Sequence, residues 1–524
     1  MRSRPQLFVA LAVFSASALA AQSGVPLEPR HQDPSNWSSY DRDNSGRRFS
    51  ALDQIKPDNV DRLVVDWVYQ FPQIPLRSEA TPLVRDGVMY LTNGGADAMA
   101  VDARTGKLLW RYQRPTETES QPNWNRGFAL SGNRLFMGTI DCRVIALDAR
   151  SGALLWEAEV ADEHPCFGIT AAPLVVKNLV LTGSRGGDTG LLRGYLDAYD
   201  AETGARAWRY YTIPAPGEPG SETWPDTDVW KGGGGAPWTT GTYDPELDLL
   251  YVPTGNPGPL DFDGSNRPGD NLYTDSVLAI DPDGPSLKWH FQFTPHDEHD
   301  WDGNATPVLV DAEWEGQPRK LLLQANRNAF FYVLDRETGE FLLGEPYARQ
   351  TWAEGLDADG RPILREGVSP SKLGSLVCPD IHGGANWHPV SYNPDAQLLY
   401  VSARDGCGKY YSTGHSIDHD LGDDVVQALR AIDIHTGKVA WEFPFLGETN
   451  KEINHSGSMT TAGNLVFFTS RIGQIIAADA HTGKALWNFN LGGSVRSGPI
   501  TYAVNGKQYV AVVSKNAVFA FTLR

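Results

Sequence analysis

Short hydrophobic runs recur along this chain, and each ends in an Asp that is followed three or four residues later by a Gly. Seven segments follow this pattern, and in six of them a Trp stands soon after the Gly. The pairs are Asp102 and Gly106, Asp148 and Gly152, Asp200 and Gly204, Asp281 and Gly284, Asp335 and Gly339, Asp433 and Gly437, and Asp479 and Gly483. The Trp positions are Trp110, Trp156, Trp208, Trp289, Trp441 and Trp487, with Leu343 in the fifth segment instead. Such a repeat indicates units that must stack on copies of themselves to bury their apolar faces.

Paired β-type runs precede the repeat turns, for example 88–91 with 99–101 and 465–469 with 474–477. Short strands separated by Gly- and Asn-rich turns predict antiparallel meanders. We interpret Trp67 as an eighth, degenerate copy. Eight copies predict an all-β fold, an eight-bladed propeller with four antiparallel strands in each blade and the Trp side chains packed between blades. A β-sandwich or a solenoid explains the single Trp of each unit less well.

The first 20 residues have the pattern of a secretory signal peptide. Arg2 and Arg4 precede an apolar run over 7–19, and Ala18-Leu19-Ala20, before Ala21, has the pattern of a small-residue cleavage site. A membrane anchor is the alternative, but the run is too short to span a bilayer comfortably. We therefore expect a single propeller domain over 21–524, periplasmic or secreted after cleavage, with no membrane span.

Export permits disulfides, and the four cysteines of the chain allow three pairings. We favour the local pairs Cys142–Cys166 and Cys378–Cys407. A zinc site is the alternative, but the cysteine spacing is wider than such sites use. No cysteine stands in a CxxCH motif, so covalent haem is not expected.

The formal charge of −19 and the pI of about 5.0, without basic clusters, argue against binding to nucleic acid or to anionic membranes. A small ligand or a basic protein partner is the better expectation.

The densest polar cluster is the segment 295–303, which contains Asp300, Trp301 and Asp302. In extended backbone Asp300 and Asp302 point to the same side and Trp301 to the other. Two carboxylates on one side suit a hard cation, which takes oxygen ligands. A solvated acidic loop is the alternative.

Other segments favour a bound ligand. Four glycines at 232–235 shortly precede Trp238, and such backbone can approach a planar molecule closely. Asn256 supplies an amide oxygen, and Asp188 supplies a carboxylate beside Gly186 and Gly187. Each signal is weak alone, since Gly-rich loops are common at turns. Together they predict a site for a flat acidic ligand and a cation.

The repeats, the glycines before Trp238 and the segments 254–257, 268–271 and 295–298 resemble the quinoprotein alcohol dehydrogenases. That family holds pyrroloquinoline quinone (PQQ) in an eight-bladed propeller. The resemblance extends from about residue 34 to the carboxyl end. It implies an oxidoreductase that oxidises an alcohol by hydride transfer to metal-bound PQQ.

The resemblance also implies roles for single residues. Asp300 falls on the catalytic base of the family. Asp302 matches an extra Asp of lanthanide-dependent members, and a trivalent ion is better neutralised by three carboxylates, so we favour a lanthanide over Ca²⁺. The implied metal ligands are Asp188, Asn256, Asp300 and Asp302. The implied PQQ-binding residues are Glu79, Arg126, Thr170, Gly186, Gly187, Trp238, Arg327 and Asn386.

The chain departs from the family pattern around the quinone. Ser120 and Gln121 stand where many members have adjacent cysteines, His455 replaces a Trp and Ala236 replaces a Thr. A wider, more polar pocket implies a bulky alcohol, a polyol or an aldehyde as substrate. Because no haem motif is present, a separate soluble cytochrome c is the implied electron acceptor. The alternative is a non-catalytic propeller, a scaffold or binding protein that has lost quinone binding.

Overall fold

The computed structural model describes residues 33–72, 79–94, 97–114, 124–160, 166–260, 262–413, 416–418, 425–445 and 456–524. The expected signal peptide at 1–20 lies outside these residues, as do Ser120, Gln121 and His455. Within the described ranges no helix is long and apolar enough to cross a membrane.

The strands of the first half begin with β1 (Phe49–Ser50) and β2 (Leu63–Gln70), which join sheets formed late in the chain. Four four-stranded sheets follow. They are β3 (Leu83–Arg85), β4 (Val88–Thr92), β5 (Ala98–Asp102) and β6 (Leu108–Tyr112); β7 (Ala129–Ser131), β8 (Arg134–Gly138), β9 (Arg143–Asp148) and β10 (Leu154–Glu159); β11 (Leu174–Val176), β12 (Leu179–Gly183), β13 (Tyr195–Asp200) and β14 (Arg206–Tyr211); and β15 (Thr242–Asp244), β16 (Leu249–Pro253), β17 (Ser276–Asp281) and β18 (Ser286–Gln292).

The second half contains the remaining blades and two small added sheets. Its strands are β19 (Val308–Trp314), β20 (Gln317–Ala325), β21 (Phe330–Asp335), β22 (Phe341–Pro346), β23 (Ala353–Leu356), β24 (Pro362–Leu364), β25 (Ser375–Val377), β26 (Ser391–Asn393), β27 (Leu398–Asp405), β28 (Gly408–Tyr411), β29 (Ser416–Asp418), β30 (Val426–Asp433), β31 (Val439–Pro444), β32 (Ser458–Thr461), β33 (Leu465–Ser470), β34 (Gln474–Asp479), β35 (Ala485–Asn490), β36 (Ile500–Val504), β37 (Lys507–Ser514) and β38 (Ala517–Leu523). The described 3₁₀ turns are Val60–Arg62, Gly187–Thr189, Ser221–Thr223 and Asp228–Gly232.

The described strands form eight blades, each with four antiparallel strands, and β1 adds a fifth, parallel strand to the blade β32-β33-β34-β35; this confirms the predicted propeller. The last blade has the order β2-β38-β37-β36, so a strand from the amino end pairs with three from the carboxyl end and closes the ring. The predicted meanders are β4 with β5 and β33 with β34. The pairing of β2 with β38 holds the two ends of the described chain in one blade.

The repeated Trp residues pack between consecutive blades, as predicted. The indole N–H of Trp110 donates to the carbonyl oxygen of Ala149 in the next blade at 3.0 Å. Gly152 has φ +72° and a Cβ there would lie 2.5 Å from the Trp110 ring, so the repeat requires Gly at this position. Trp67 makes the equivalent bond to Ala103 at 3.0 Å, which confirms it as the eighth copy.

The Asp of each repeat holds the turn. Asp148 Oδ1 accepts the backbone N–H groups of Arg150 and Ser151 at 3.0 and 2.8 Å. Such a side chain satisfies donors that the tight turn would otherwise expose. Both favoured disulfides, Cys142–Cys166 and Cys378–Cys407, are present.

Candidate active site

A cavity of about 500 Å³ collects every residue that the family resemblance implicates in metal or quinone binding. Its lining includes Glu79, Arg126, Thr170, Gly186, Gly187, Asp188, Trp238, Asn256, Asp300, Asp302, Arg327 and Asn386. These residues span more than 300 positions of the chain, and the propeller brings them to one place.

The blade geometry explains why distant loops meet. Asp302 and Asn386 precede the first strands of their blades, β19 and β26, whereas Asp188, Asn256 and Arg327 follow second strands, β12, β16 and β20. In an antiparallel pair, the start of the first strand and the end of the second lie at the same end. The loops therefore gather at one end of the ring.

The loop that carries Asp300 is held by a buried neighbour, Asp297. The Asp297 carboxylate accepts the backbone N–H groups of His299 and Trp301 at 2.8 and 2.7 Å. The Trp301 ring is fully buried and lies 5.0 Å from the ring of Trp352. Asp300 has φ +64°, so the expectation of extended backbone is wrong here. Asp300 and Asp302 nevertheless both line the cavity while Trp301 packs into the core, because a left-handed turn redirects the chain.

We call Asp188, Asp300 and Asp302 the carboxylate cluster. Asp302 Oδ1 accepts the backbone N–H of Asn256 at 2.9 Å and the indole N–H of Trp238 at 3.1 Å. Arg327 bridges the two acidic residues of the loop, since it donates to Asp300 Oδ2 at 3.2 Å and also to Asp302 Oδ2.

Burial raises the pKa of all three carboxyl groups in this cluster, because a charged carboxylate loses its hydration there. The negative charge of Asp302 further raises the pKa of Asp188 and of Asp300, while Arg327 opposes these shifts. Arg185 also opposes the shift of Asp188, so three carboxylates share two guanidinium groups, which leaves an excess of negative charge at the site.

The donor set fits a hard cation. It offers only carboxylate and amide oxygens, the ligands that such ions prefer, and a cation would offset the excess negative charge. Among the described residues no three His, Cys, Asp or Glu side chains stand in a metal-holding arrangement by themselves. Arg327 forms ion pairs with Asp300 and Asp302, and the side chain of Asn256 adds an amide oxygen to the cavity wall.

Two arginines lie close to Glu79 in another part of the cavity. The buried Glu79 carboxylate lies 3.2 Å from Arg126 and 3.8 Å from Arg496. The Arg126 guanidinium lies over the rings of Trp387 and Trp238, at 4.1 and 5.1 Å from their centroids. Guanidinium and aromatic groups together suit a flat ligand with carboxylate groups.

Glycine backbone forms another part of the cavity wall. Gly186 has φ +108°, and a Cβ there would clash with the ring of Phe167. The four-glycine run at 232–235 behaves differently from our expectation. Gly232 and Gly234 press against the backbone of Gly190 and Gly258, so close packing of neighbouring loops, not approach to a ligand, requires these glycines.

Sequence reasoning missed several lining residues, namely Trp124, Phe167, Arg185, Thr189, Trp387, His388 and Arg496. Most of these stand within two positions of a predicted residue. Arg185 directly precedes Gly186, and Trp387 directly follows Asn386. Proximity to a predicted residue could therefore have identified most of these lining residues. No predicted site residue stands near Arg496 in the sequence.

The chain matches a family model described as PQQ: glucose/ethanol/alcohol dehydrogenase, β-propeller domain, over residues 37–345 and 425–510. It is 38% identical to quinoprotein alcohol dehydrogenase PedH of Pseudomonas putida, an alignment that covers 98% of this chain and 92% of PedH.

The fold of the chain is also similar to solved structures of related dehydrogenases. The quinohemoprotein alcohol dehydrogenase ADHIIG from Pseudomonas putida HK5 superposes with a TM-score of 0.87 at 34% identity, covering 94% of this chain and 80% of that one. A europium-containing methanol dehydrogenase superposes with a TM-score of 0.86 at 30% identity, covering 94% and 99%.

A closed propeller with oxygen ligands, guanidinium groups and aromatic rings in one cavity, together with these similarities, defines a quinoprotein oxidoreductase. The chain belongs to the PQQ-dependent alcohol dehydrogenase family.

Proposed function

We propose that the protein oxidises an alcohol in this cavity, with Asp300 as the base that removes the hydroxyl proton. When bound, PQQ supplies the hydride acceptor and the metal ion supplies Lewis acidity. The observation that carries the proposal is the convergence of all the implicated residues on one cavity.

The surroundings of Asp300 suit proton abstraction. Arg327 donates to its Oδ2, whereas its Oδ1 accepts no hydrogen bond from the described residues, so that oxygen can accept the substrate proton. Burial raises the pKa of Asp300, which makes the carboxylate a stronger base once ionised. Arg327 keeps the ionised form accessible because it opposes the shift.

We propose that Asp188, Asn256, Asp300 and Asp302 hold the metal ion, and that the ion is a lanthanide. The three negative charges of these carboxylates balance the charge of a trivalent ion, whereas they exceed the charge of a divalent ion. Asp302 Oδ1 already accepts two N–H groups, whereas Arg327 is the only donor to its Oδ2 among the described residues, so Oδ2 retains a lone pair for a cation. Similarity to a europium-containing dehydrogenase supports this preference over Ca²⁺.

For the quinone, we propose that Trp238 stacks on the ring and that the carboxylates and carbonyls meet the remaining predicted residues. Arg126 and Arg327 provide positive charge for the carboxylates of the quinone. Gly186 and Gly187 have no side chain, so their backbone can lie close to the quinone. The complete set is Glu79, Arg126, Thr170, Gly186, Gly187, Trp238, Arg327 and Asn386.

The wider biological setting is also a proposal. Removal of 1–20 would release one propeller domain, 21–524, into the periplasm, where a soluble cytochrome c accepts the electrons. A bulky alcohol, a polyol or an aldehyde is the substrate we favour, since Ser120 and Gln121 replace an adjacent-cysteine pair.

The test is reconstitution of the apoprotein with PQQ and either Ca²⁺ or La³⁺, followed by dye-linked activity with a panel of alcohols and aldehydes. We expect activity with La³⁺ to exceed that with Ca²⁺. Failure to bind PQQ with either ion would overturn the enzyme proposal in favour of a non-catalytic propeller. Activity with Ca²⁺ alone would overturn only the metal preference.

A further inference from the structure

Three arginines line the cavity, and we call Arg126, Arg185 and Arg496 the guanidinium cluster. Glu79 forms ion pairs with Arg126 and Arg496. Arg185 is not paired with Glu79: the charge of Asp188 favours its charged form, and the charge of Arg126 opposes it.

Arg185 differs from the other two arginines because no carboxylate of the described residues lies within 4.0 Å of it. Its side chain is nevertheless held in place. The Nε–H donates to the carbonyl oxygen of Phe167 at 2.7 Å, and the guanidinium carbon lies 5.1 Å from the centroid of the Trp124 ring. Its backbone N–H donates to Gly168 at 3.1 Å, which anchors the loop.

These contacts use one edge and one face of the guanidinium group. In the described structure neither terminal nitrogen of Arg185 has a hydrogen-bond partner, and the residue lines the cavity. Partial burial and the charge of Arg126 lower the pKa of Arg185, and the charge of Asp188 only partly opposes this shift. The free edge carries paired N–H donors, the geometry that matches the two oxygens of a carboxylate.

We propose that Arg185 is a carboxylate-binding residue of this cavity and receives one carboxylate of the ligand on its two Nη atoms. The carboxylate belongs either to the quinone, in which case the inference rests on the proposed function, or to an anionic hydroxy-acid substrate. The chemistry is the same in both cases, so the experiment has to separate the two sources.

The experiment compares the wild-type full chain with Arg185→Gln, which removes the charge, and with Arg185→Lys, which keeps the charge but not the paired donors. The matched control is Arg104→Gln, because Arg104 is 56% exposed and its ion-pair contact, at 3.8 Å, is with Asp102 of its own turn. Melting temperatures of all variants check that each is folded.

Dissociation constants are measured for PQQ and for its trimethyl ester, with La³⁺ present, by quenching of tryptophan fluorescence. A quinone carboxylate on Arg185 predicts that Arg185→Gln weakens PQQ binding at least about tenfold, since a bond between charged groups is lost. The ester, which has no carboxylates, should bind both proteins equally. Arg185→Lys should lie between the two, and Arg104→Gln should match the wild type.

A substrate carboxylate predicts a different pattern. PQQ affinity would then be unchanged in Arg185→Gln, while KM for an ω-hydroxy acid rises at least about tenfold and KM for the matching neutral alcohol does not. The inference is overturned if Arg185→Gln changes neither PQQ affinity nor the preference between acid and neutral alcohol.

A probe without quinone chemistry separates this inference from the proposed function. Benzene-1,3,5-tricarboxylate binding is measured by calorimetry. If the wild type binds this anion but not PQQ, and Arg185→Gln weakens the binding, the proposed function fails while the carboxylate site stands. If the wild type binds neither molecule, both proposals are overturned.

Discussion

The carboxylate cluster and the guanidinium cluster share one cavity, yet they are held in different ways. Asp300 and Asp302 are positioned by a loop whose backbone N–H groups bond to the buried Asp297. Arg126 and Arg185 lie instead over aromatic rings. Backbone bonds fix a short side chain closely, whereas a ring face supports a long side chain and still leaves its donor edge free.

The difference also separates what each cluster can do. A short carboxylate on a constrained loop can hold a metal ion or take a proton at a defined point. A guanidinium with a free edge can bind an anionic ligand. We therefore expect variants of the first cluster to change turnover and metal affinity, and variants of the second to change ligand affinity.

The largest expected effect follows from Asp300→Asn. The amide cannot accept the hydroxyl proton, so we expect kcat to fall about 10³-fold, within the usual range for loss of a general base. The PQQ dissociation constant should change much less. The measurement is steady-state activity of the reconstituted enzyme beside fluorescence titration of PQQ. An active Asp300→Asn or Asp300→Ala variant would remove Asp300 as the base.

Arg126→Gln tests the second cluster through stability. Glu79 is 3% exposed and would lose the nearer of its two guanidinium partners, so we expect the free energy of unfolding to fall by about 3 kcal/mol. Denaturant unfolding measures this change. The double variant with Glu79→Gln should lose less than the sum of the single variants, because the buried carboxylate is then absent. Additive losses would contradict a coupled pair.

Asp302→Ala sharpens the contrast between metal ions. Removal of one negative charge should weaken the binding of a trivalent ion more than the binding of a divalent ion, since the Coulomb energy scales with ion charge. We expect the affinity for Eu³⁺ to fall at least about tenfold further than the affinity for Ca²⁺. Titrations of each ion in the presence of PQQ give both constants. An equal loss for the two ions would count against the lanthanide preference.

Trp441→Leu is expected to have the smallest effect and to leave the cavity unchanged. Trp441 lies between blades and donates to Ala480 at 3.1 Å, and Leu343 lies against Gly437 at the corresponding position of the fifth segment. Loss of one hydrogen bond and part of the ring contact should lower the free energy of unfolding by about 1–2 kcal/mol. The PQQ dissociation constant should match that of the wild type, and a large change in it would show that blade packing and cavity are coupled.

Local pattern was sufficient to predict much of the fold. The Asp-Gly-Trp segments act within one turn and one blade contact, as Asp148 and Trp110 illustrate, so their spacing predicted the blades directly. The degenerate copy at Trp67 was recognisable for the same reason. Closure by β2 beside β38 depends on pairing between the chain ends, which no local pattern encodes.

The site was only partly predictable. Resemblance to a family implicated Asp188, Trp238 and Asp300. The extended backbone predicted for Asp300 was wrong, since Asp300 has a positive φ in a loop whose backbone N–H groups donate to Asp297. The glycine run was misinterpreted because loops distant in the chain press against it. Close approach of two backbones is a tertiary property.

The sequence by itself determined the repeat, its turns and the residue types able to bind a cation and an acidic ligand, because these depend on neighbours along the chain. Only the tertiary structure decided which charges share a cavity. Arg496 and Glu79 are more than 400 positions apart yet form an ion pair, while Arg185, beside Gly186, keeps a free donor edge. The balance of charges in the cavity depends on distances in space, and these distances are fixed only by the closed propeller.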